Sequence, residues 1–242
     1  GPARLVEGCR IVAESAGASA KGVAPPPCVP RALLDPAAGS GWVAESFDGE
    51  WLLVSRSGSV ARCRLVGEGG ACLPEAIGFP IGATGASEPV MDGDLMAFGR
   101  LEVGPVWPPG CEPGIVSPGC IPVAALLVEY HACWIDPATQ FCDPVAISEK
   151  ARIENAQGID VSGRRIVWAV GSDFERPAVR FCEFVRETGR CEPQRLTGSP
   201  ATASRPAIEG ERVVWEDARS GAFAIAGFEL PRLEVVGTNG GT

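Results

Sequence analysis

The chain has 242 residues, 45% of them hydrophobic and 21% charged, with a formal net charge of -9 at pH 7. That hydrophobic share is enough for a sizeable core and the mixed charge excludes wholesale disorder. The acidic excess, unbroken by any Lys/Arg-rich run, excludes nucleic-acid backbones and anionic membrane surfaces as partners. No run of eighteen apolar residues occurs, so membrane insertion is not expected.

Ten cysteines fall into pairs along the chain: Cys9/Cys28, Cys63/Cys72, Cys111/Cys120, Cys133/Cys142 and Cys182/Cys191. An even count without CxxC knuckles, beside a single histidine (His131), favours disulfides over zinc and predicts no cofactor. Disulfides in turn imply export: an extracellular, cell-surface or periplasmic setting.

Gly1-Pro2 reads as the remnant of tag removal. Residues 1–34 carry a strand ending at Cys9 and another opening at Cys28, the two outer strands of a unit whose inner pair is missing. Residues 42–78 form the first full unit. An apolar strand, a glycine-centred turn (Asp48-Gly49) and a second apolar strand are followed by Cys63, a turn and Cys72-Leu-Pro. The frame returns at 88–148 around Gly93, Cys133 and Cys142-Asp-Pro, and at 156–197 around Gly163, Cys182 and Cys191-Glu-Pro. At 204–236 it closes on Gly210 without cysteine, and 237–242 reads as a linker or cut terminus.

Two independent landmarks share one rhythm. The turn glycines are spaced 44, 70 and 47 residues apart, and the cysteines of the C-x-P phrase 44, 70 and 49. A period near 44 with four short strands per unit predicts an all-β propeller of four-stranded antiparallel blades, with a disulfide in most outer hairpins. The alternative is a disulfide framework without propeller symmetry. Five blades result if the N-terminal outer hairpin joins the C-terminal inner strands; otherwise the chain is part of a larger ring. Eight residues between cysteines suit a hairpin whose opposed positions lie within disulfide reach. Proline after the second cysteine suits an outermost strand with one unpaired edge.

The stretch Ser204-Arg-Pro-Ala-Ile-Glu-Gly-Glu-Arg-Val-Val-Trp-Glu-Asp-Ala-Arg-Ser-Gly221, together with the Leu196-Thr197 close of the preceding unit, resembles the bacterial TolB-like propeller repeat. The likeness is strong in the last unit and skeletal in the first two, and the cysteines depart from the pattern. The resemblance implies a propeller used for protein–protein contact at the cell envelope or outside the cell, without catalysis.

Function is sought in the one asymmetry. Cys63 lies nine positions after Val54 and Cys182 fourteen after Trp168, whereas Cys133 lies thirty-five after Phe98. The excess, an inserted loop over 99–125, is dense in Pro and Gly and carries its own Cys111/Cys120 pair. Trp107, Glu112, Ile115 and Val116 are its candidate contact residues; the rival reading is a loop that only caps the blade. Trp168 and Trp215, at matched positions, read as inter-blade core, and His131 as a structural donor. A carbohydrate-active hydrolase is the alternative function. Its carboxylates would come from Glu45, Asp48, Asp92, Asp94, Asp160, Glu209, Glu216 and Asp217, most of which turn chemistry already explains.

Overall fold

The computed structural model describes residues 7–8, 31–34, 38, 41–65, 71–80, 86–108, 110–111, 120–171, 176–198, 203–218 and 224–231. Among them the chain is all-β, apart from 3-10 geometry at Ala38 and a 3-10 turn at Ile153–Asn155. The first blade is β3 (Val43–Phe47), β4 (Trp51–Arg56), β5 (Ser59–Arg64) and β6 (Glu75–Ala76), hydrogen-bonded in that order. The second is β7 (Ala86–Asp92), β8 (Leu95–Val106), β9 (Val123–Trp134) and β10 (Val145–Ala146), with β11 (Ala151–Arg152) also on β9. The third is β12 (Ala156–Ser162), β13 (Arg165–Val170), β14 (Ala178–Glu183) and β15 (Gln194–Arg195). The fourth has three strands, β16 (Ala203–Glu209), β17 (Arg212–Asp217) and β18 (Ala224–Glu229). Each is an antiparallel meander, as the repeat predicts.

The N-terminal fragment keeps the same phase. β1 (Glu7–Gly8) pairs with β2 (Arg31–Ala32) through Gly8↔Arg31. That is the step taken by Arg62↔Glu75, Ala132↔Val145 and Phe181↔Gln194 in the full blades. The expected union of this hairpin with β16 and β17 is not what forms. β18 lies along β17 over all six residues from Arg212 to Asp217. Its loop is short and local, so it closes at lower entropic cost than a ladder to the other end of the chain.

The inner hairpins turn on glycines. Gly93, Gly163 and Gly210 have φ near +60° (59, 60 and 58) and are followed by residues with ordinary φ. That is the two-residue turn with glycine at its first central position, whose twist matches that of the strands. Side chains then alternate. Leu53 and Val60 of the first blade meet Met91, Met96 and Phe98 of the second. Ala97 and Tyr130 of the second meet Val161, Ile166 and Trp168 of the third. Val167 and Val179 of the third meet Ile208, Val213 and Trp215 of the fourth. Trp168 is fully buried and Trp215 nearly so, at the inter-blade positions the sequence assigns them.

Polar groups tie the same interfaces. Asp48 Oδ2 accepts the Gly93 N–H (2.8 Å), Asp92 Oδ2 the Gly163 N–H (2.6 Å) and Ser162 Oγ the Gly210 N–H (3.0 Å). The residue before each turn glycine thus receives the next blade's turn glycine. Arg62, wholly buried under the Trp51 ring, reaches from β5 to Asp94 (2.8 Å) and Gln140 (2.9 Å) of the second blade. Thr197, of the expected Leu-Thr close, is buried and accepts the Val179 N–H.

Four disulfides are formed: Cys63–Cys72, Cys111–Cys120, Cys133–Cys142 and Cys182–Cys191, with Cα separations of 5.7, 5.5, 5.6 and 5.4 Å. Three staple outer hairpins; Cys9 and Cys28 lie outside the described residues. Disulfides of this number are the chemistry of an oxidising, non-cytoplasmic compartment. No described helix is long and apolar enough to cross a membrane.

Candidate functional site

The insertion is not a loop over its whole expected span. β8 continues to Val106 and β9 begins at Val123, paired without a break from Leu95↔Trp134 to Val106↔Val123. Residues 99–106 and 123–125 are therefore strand, and only the tip between them is loop. β7 leaves β8 at Ala86↔Arg100 and β11 leaves β9 at Arg152↔Leu127, so the distal half is a two-stranded arm. The Cys111–Cys120 bridge crosses its tip.

One face of the arm continues the core. Leu101 and Val128 are paired, packed against the interior shared by blades two and three. The next steps on that face are Val103↔Leu126 and Pro105↔Ala124. There the apolar side chains emerge: Val103 is 75% exposed and Leu126 40%. Towards the tip, Ile121 and Val123 are 73% and 55% exposed. Trp107 follows β8 and is half-buried; Glu112, Ile115 and Val116 lie outside the described residues. The arm residues Val103, Val123 and Leu126 were missed as candidates, although the alternation through Leu101-Glu-Val-Gly-Pro-Val106 could have found Val103.

Arg100, Glu102, Glu129, His131 and Lys150 gather at the arm's base. Lys150 Nζ donates to Glu102 Oε1 (2.6 Å), which holds the lysine above its ordinary pKa. His131 is buried, its Nε2 lies 2.9 Å from Glu129 Oε2, and its ring stacks on Phe98. Burial pushes its pKa down, and the Glu129 carboxylate opposes that.

The carboxylates considered for catalysis are largely engaged. Asp48 receives the Glu50, Trp51 and Gly93 N–H groups. Asp92 receives Gly163, Asp94 pairs with Arg62, and Glu45 accepts the Ser55 hydroxyl. Asp160 receives Val161 and Ile208 N–H groups, while burial pushes its pKa up. Asp217 is buried and Glu209 is exposed. Glu216 accepts Ser204 Oγ (3.2 Å) and pairs with Arg205 (3.1 Å). It lines a cavity of about 710 Å³ between blades three and four with Glu154, Gln157, Pro177, Ala203, Ser204 and Arg205. Arg205 stands there at φ 48°, on the β16 bulge between Ser204 and Ala207. Among the described residues no group of three or more His, Cys, Asp or Glu could hold a metal ion.

The architecture and arm define a propeller-like, disulfide-stapled β-blade protein. No protein-family model matches the chain, and no curated protein sequence does. In shape it is similar to a puromycin-hydrolyzing peptidase of Mycobacterium tuberculosis, at TM-score 0.48 and 14% identity over 84% of this chain and 33% of that one. It is also similar to a structure from a study of two prolyl endopeptidases, at TM-score 0.39 and 15% identity over 84% of this chain and 35% of that one. The chain thus spans about a third of the length of either.

Proposed function

We propose that this chain is an exported, TolB-like propeller module that binds a protein partner at the cell envelope or outside the cell, without catalysing a reaction. The β8–β9 arm is its contact element. The observation that carries this is the core face of the arm running on into solvent as Val103, Pro105, Ala124 and Leu126, half a hairpin beyond the blade. Exposed contiguous apolar surface on a soluble fold marks a contact site. A disulfide at the tip holds it ready, so little ordering entropy is lost on binding. Trp107 and the tip residues Glu112, Ile115 and Val116 would extend the contact.

A photo-crosslinking residue at position 103, in the exported protein, is expected to give a discrete protein adduct. The same residue at 187, on the outer turn of the third blade, is expected to give none. Equal labelling at both positions, or adducts unchanged after charge is placed at Leu126, sinks the assignment. The hydrolase reading rests on the cavity with Glu154 and Glu216; a glycosidase activity lost in Glu216→Gln and in Glu154→Gln would replace the binding role.

A further inference from the structure

The four blades repeat three side-chain positions that neighbouring blades bury, and each is exposed only where the series ends. The residue two before the turn glycine faces the preceding blade. Met91, Val161 and Ile208 are 5%, 7% and 6% exposed, whereas Phe47, on the first blade, is 55%. The residue four after the glycine faces the following blade. Leu53, Ala97 and Val167 are fully buried, whereas Val214, on the fourth, is 44% exposed. On the third strand, Val60, Tyr130 and Val179 are 2%, 1% and 0% exposed; their counterpart Ile225 is 74%. The hydrogen-bond relay ends in the same way. Asp48, Asp92 and Ser162 each receive the next blade's glycine N–H, and Glu209 holds that position on the last blade, exposed.

Repeat arrays that end in water carry polar outer faces on their terminal units. The outer faces of the described series are not polar in this way: each presents the apolar residue and, at the tail, the acceptor that an interior interface uses. The rest of the joint is also complementary. Among the described residues the fourth blade has the three inner strands. At the head, the N-terminal segment already supplies an outer hairpin. Its Leu34 bridges Cys72, and Cys72 N–H donates to Leu33 O, just as Gly78 bridges Phe141 and Cys142 N–H donates to Gly78 O at the next interface. Leu33, Leu34 and Trp42 cover the face carrying Leu52 and Val54, leaving Phe47 on the inner strand uncovered. Among the described residues, β16–β18 form strand ladders only with one another.

We propose that the outward face of the fourth blade docks on the first blade of a second copy of this chain, head to tail. Val214 and Ile225 cover Phe47 there, and Glu209 accepts the Gly49 N–H of the other copy. The contact continues an interface the chain already makes three times internally. It is heterologous, using a different surface on each copy, so it builds rings or open arrays rather than a two-fold dimer.

Sedimentation of the intact, oxidised chain tests this. The wild type is expected to associate as concentration rises, whereas Phe47→Glu and the double variant Val214→Glu/Ile225→Glu each stay monomeric. An equimolar mixture of the two keeps one intact head and one intact tail, so it is expected to form a heterodimer and nothing larger. Intermolecular crosslinks provide a check independent of folding. A photo-crosslinker at 225, in mixed light and isotope-labelled chains, is expected to give mixed-isotope links to the 43–56 peptide. A wild type monomeric at high micromolar concentration overturns the proposal. Links confined to one isotope also overturn it, since the ends would then meet within one chain.

Discussion

Blades two and three share a frame and differ in one hairpin. Their inner turns, interface positions and stapled outer strands superpose in register, step for step. Yet β13 and β14 are six residues each, ending where the blade ends, while β8 and β9 run to twelve. Every β13 residue is buried; β8 is buried over its first five residues and mostly only part-buried beyond, with Val103 and Pro105 exposed. The difference teaches that stability and reach are separable here. Burial on both sides fixes the first half of a hairpin, and what extends past the blade is free to vary.

The largest contrast is expected from truncating side chains in the two halves. Trp168→Ala empties a fully buried site between blades two and three and should cost about 3–5 kcal/mol. Val103→Ser on the arm should change stability by less than about 0.5 kcal/mol. Denaturant unfolding of both variants measures this. A loss at 103 comparable to that at 168 would mean the arm is covered within the monomer.

The disulfides sharpen the same division. Replacing Cys182 and Cys191 by alanine opens a loop of about ten residues in the framework and should cost roughly 2–3 kcal/mol in the chain-entropy model. The Cys111–Cys120 loop is as long, but it rests on the two-stranded part of the arm, beyond the last rungs of β7 and β11. Its loss should loosen the tip, leave the blades folded, and show in local hydrogen exchange at β8–β9 rather than in the thermal midpoint. Peptide mapping without reduction is also expected to link Cys9 to Cys28, because Gly8↔Arg31 repeats the step beside each bonded pair.

Much of this frame was legible in the sequence because backbone geometry imposed it. Only glycine takes φ near +60° freely at the inner turns, so Gly93, Gly163 and Gly210 had to recur, and the cysteines mark opposed rungs. The arm was not legible as strand, for a related reason. Gly99, Gly104 and Pro105 read as loop residues, whereas Gly104 is a strand position that Leu127 crowds: a Cβ there would lie 2.8 Å from Leu127 Cδ1. The precedence of β18 over the N-terminal hairpin as the partner of β17 depends on a local loop closure that side-chain pattern does not encode. The cavity depends on a β-bulge, which shifts register without changing residue type.

A smaller effect separates interior from terminal copies of one position. Asp48→Ala removes the acceptor for three N–H groups, one of them on the next blade, and should cost about 1–2 kcal/mol. Glu209→Ala, at the matching place on the last blade, should be nearly neutral in dilute monomer. If both cost the same in dilute solution, Glu209 is engaged within the chain.

The smallest effect is one of pH and belongs to blade two alone. His131 pairs with Phe98 across β8–β9, and the matching step in blade three is Arg180 opposite Trp168. Arg180 is paired with Glu149 (3.2 Å). His131 is buried and faces Glu129, Arg100 and Lys150, with its pKa pushed below the usual value of about 6.5. A group whose folded pKa is depressed contributes its full stability above the unfolded pKa and loses it as pH falls through the folded one. Acidification from about pH 7 towards pH 5 should therefore weaken hydrogen-exchange protection in β8 and β9 while sparing β13 and β14. His131→Phe, which keeps a ring against Phe98, should abolish the difference. Equal weakening of both hairpins, or a pH response that survives the substitution, would assign the sensitivity to another group.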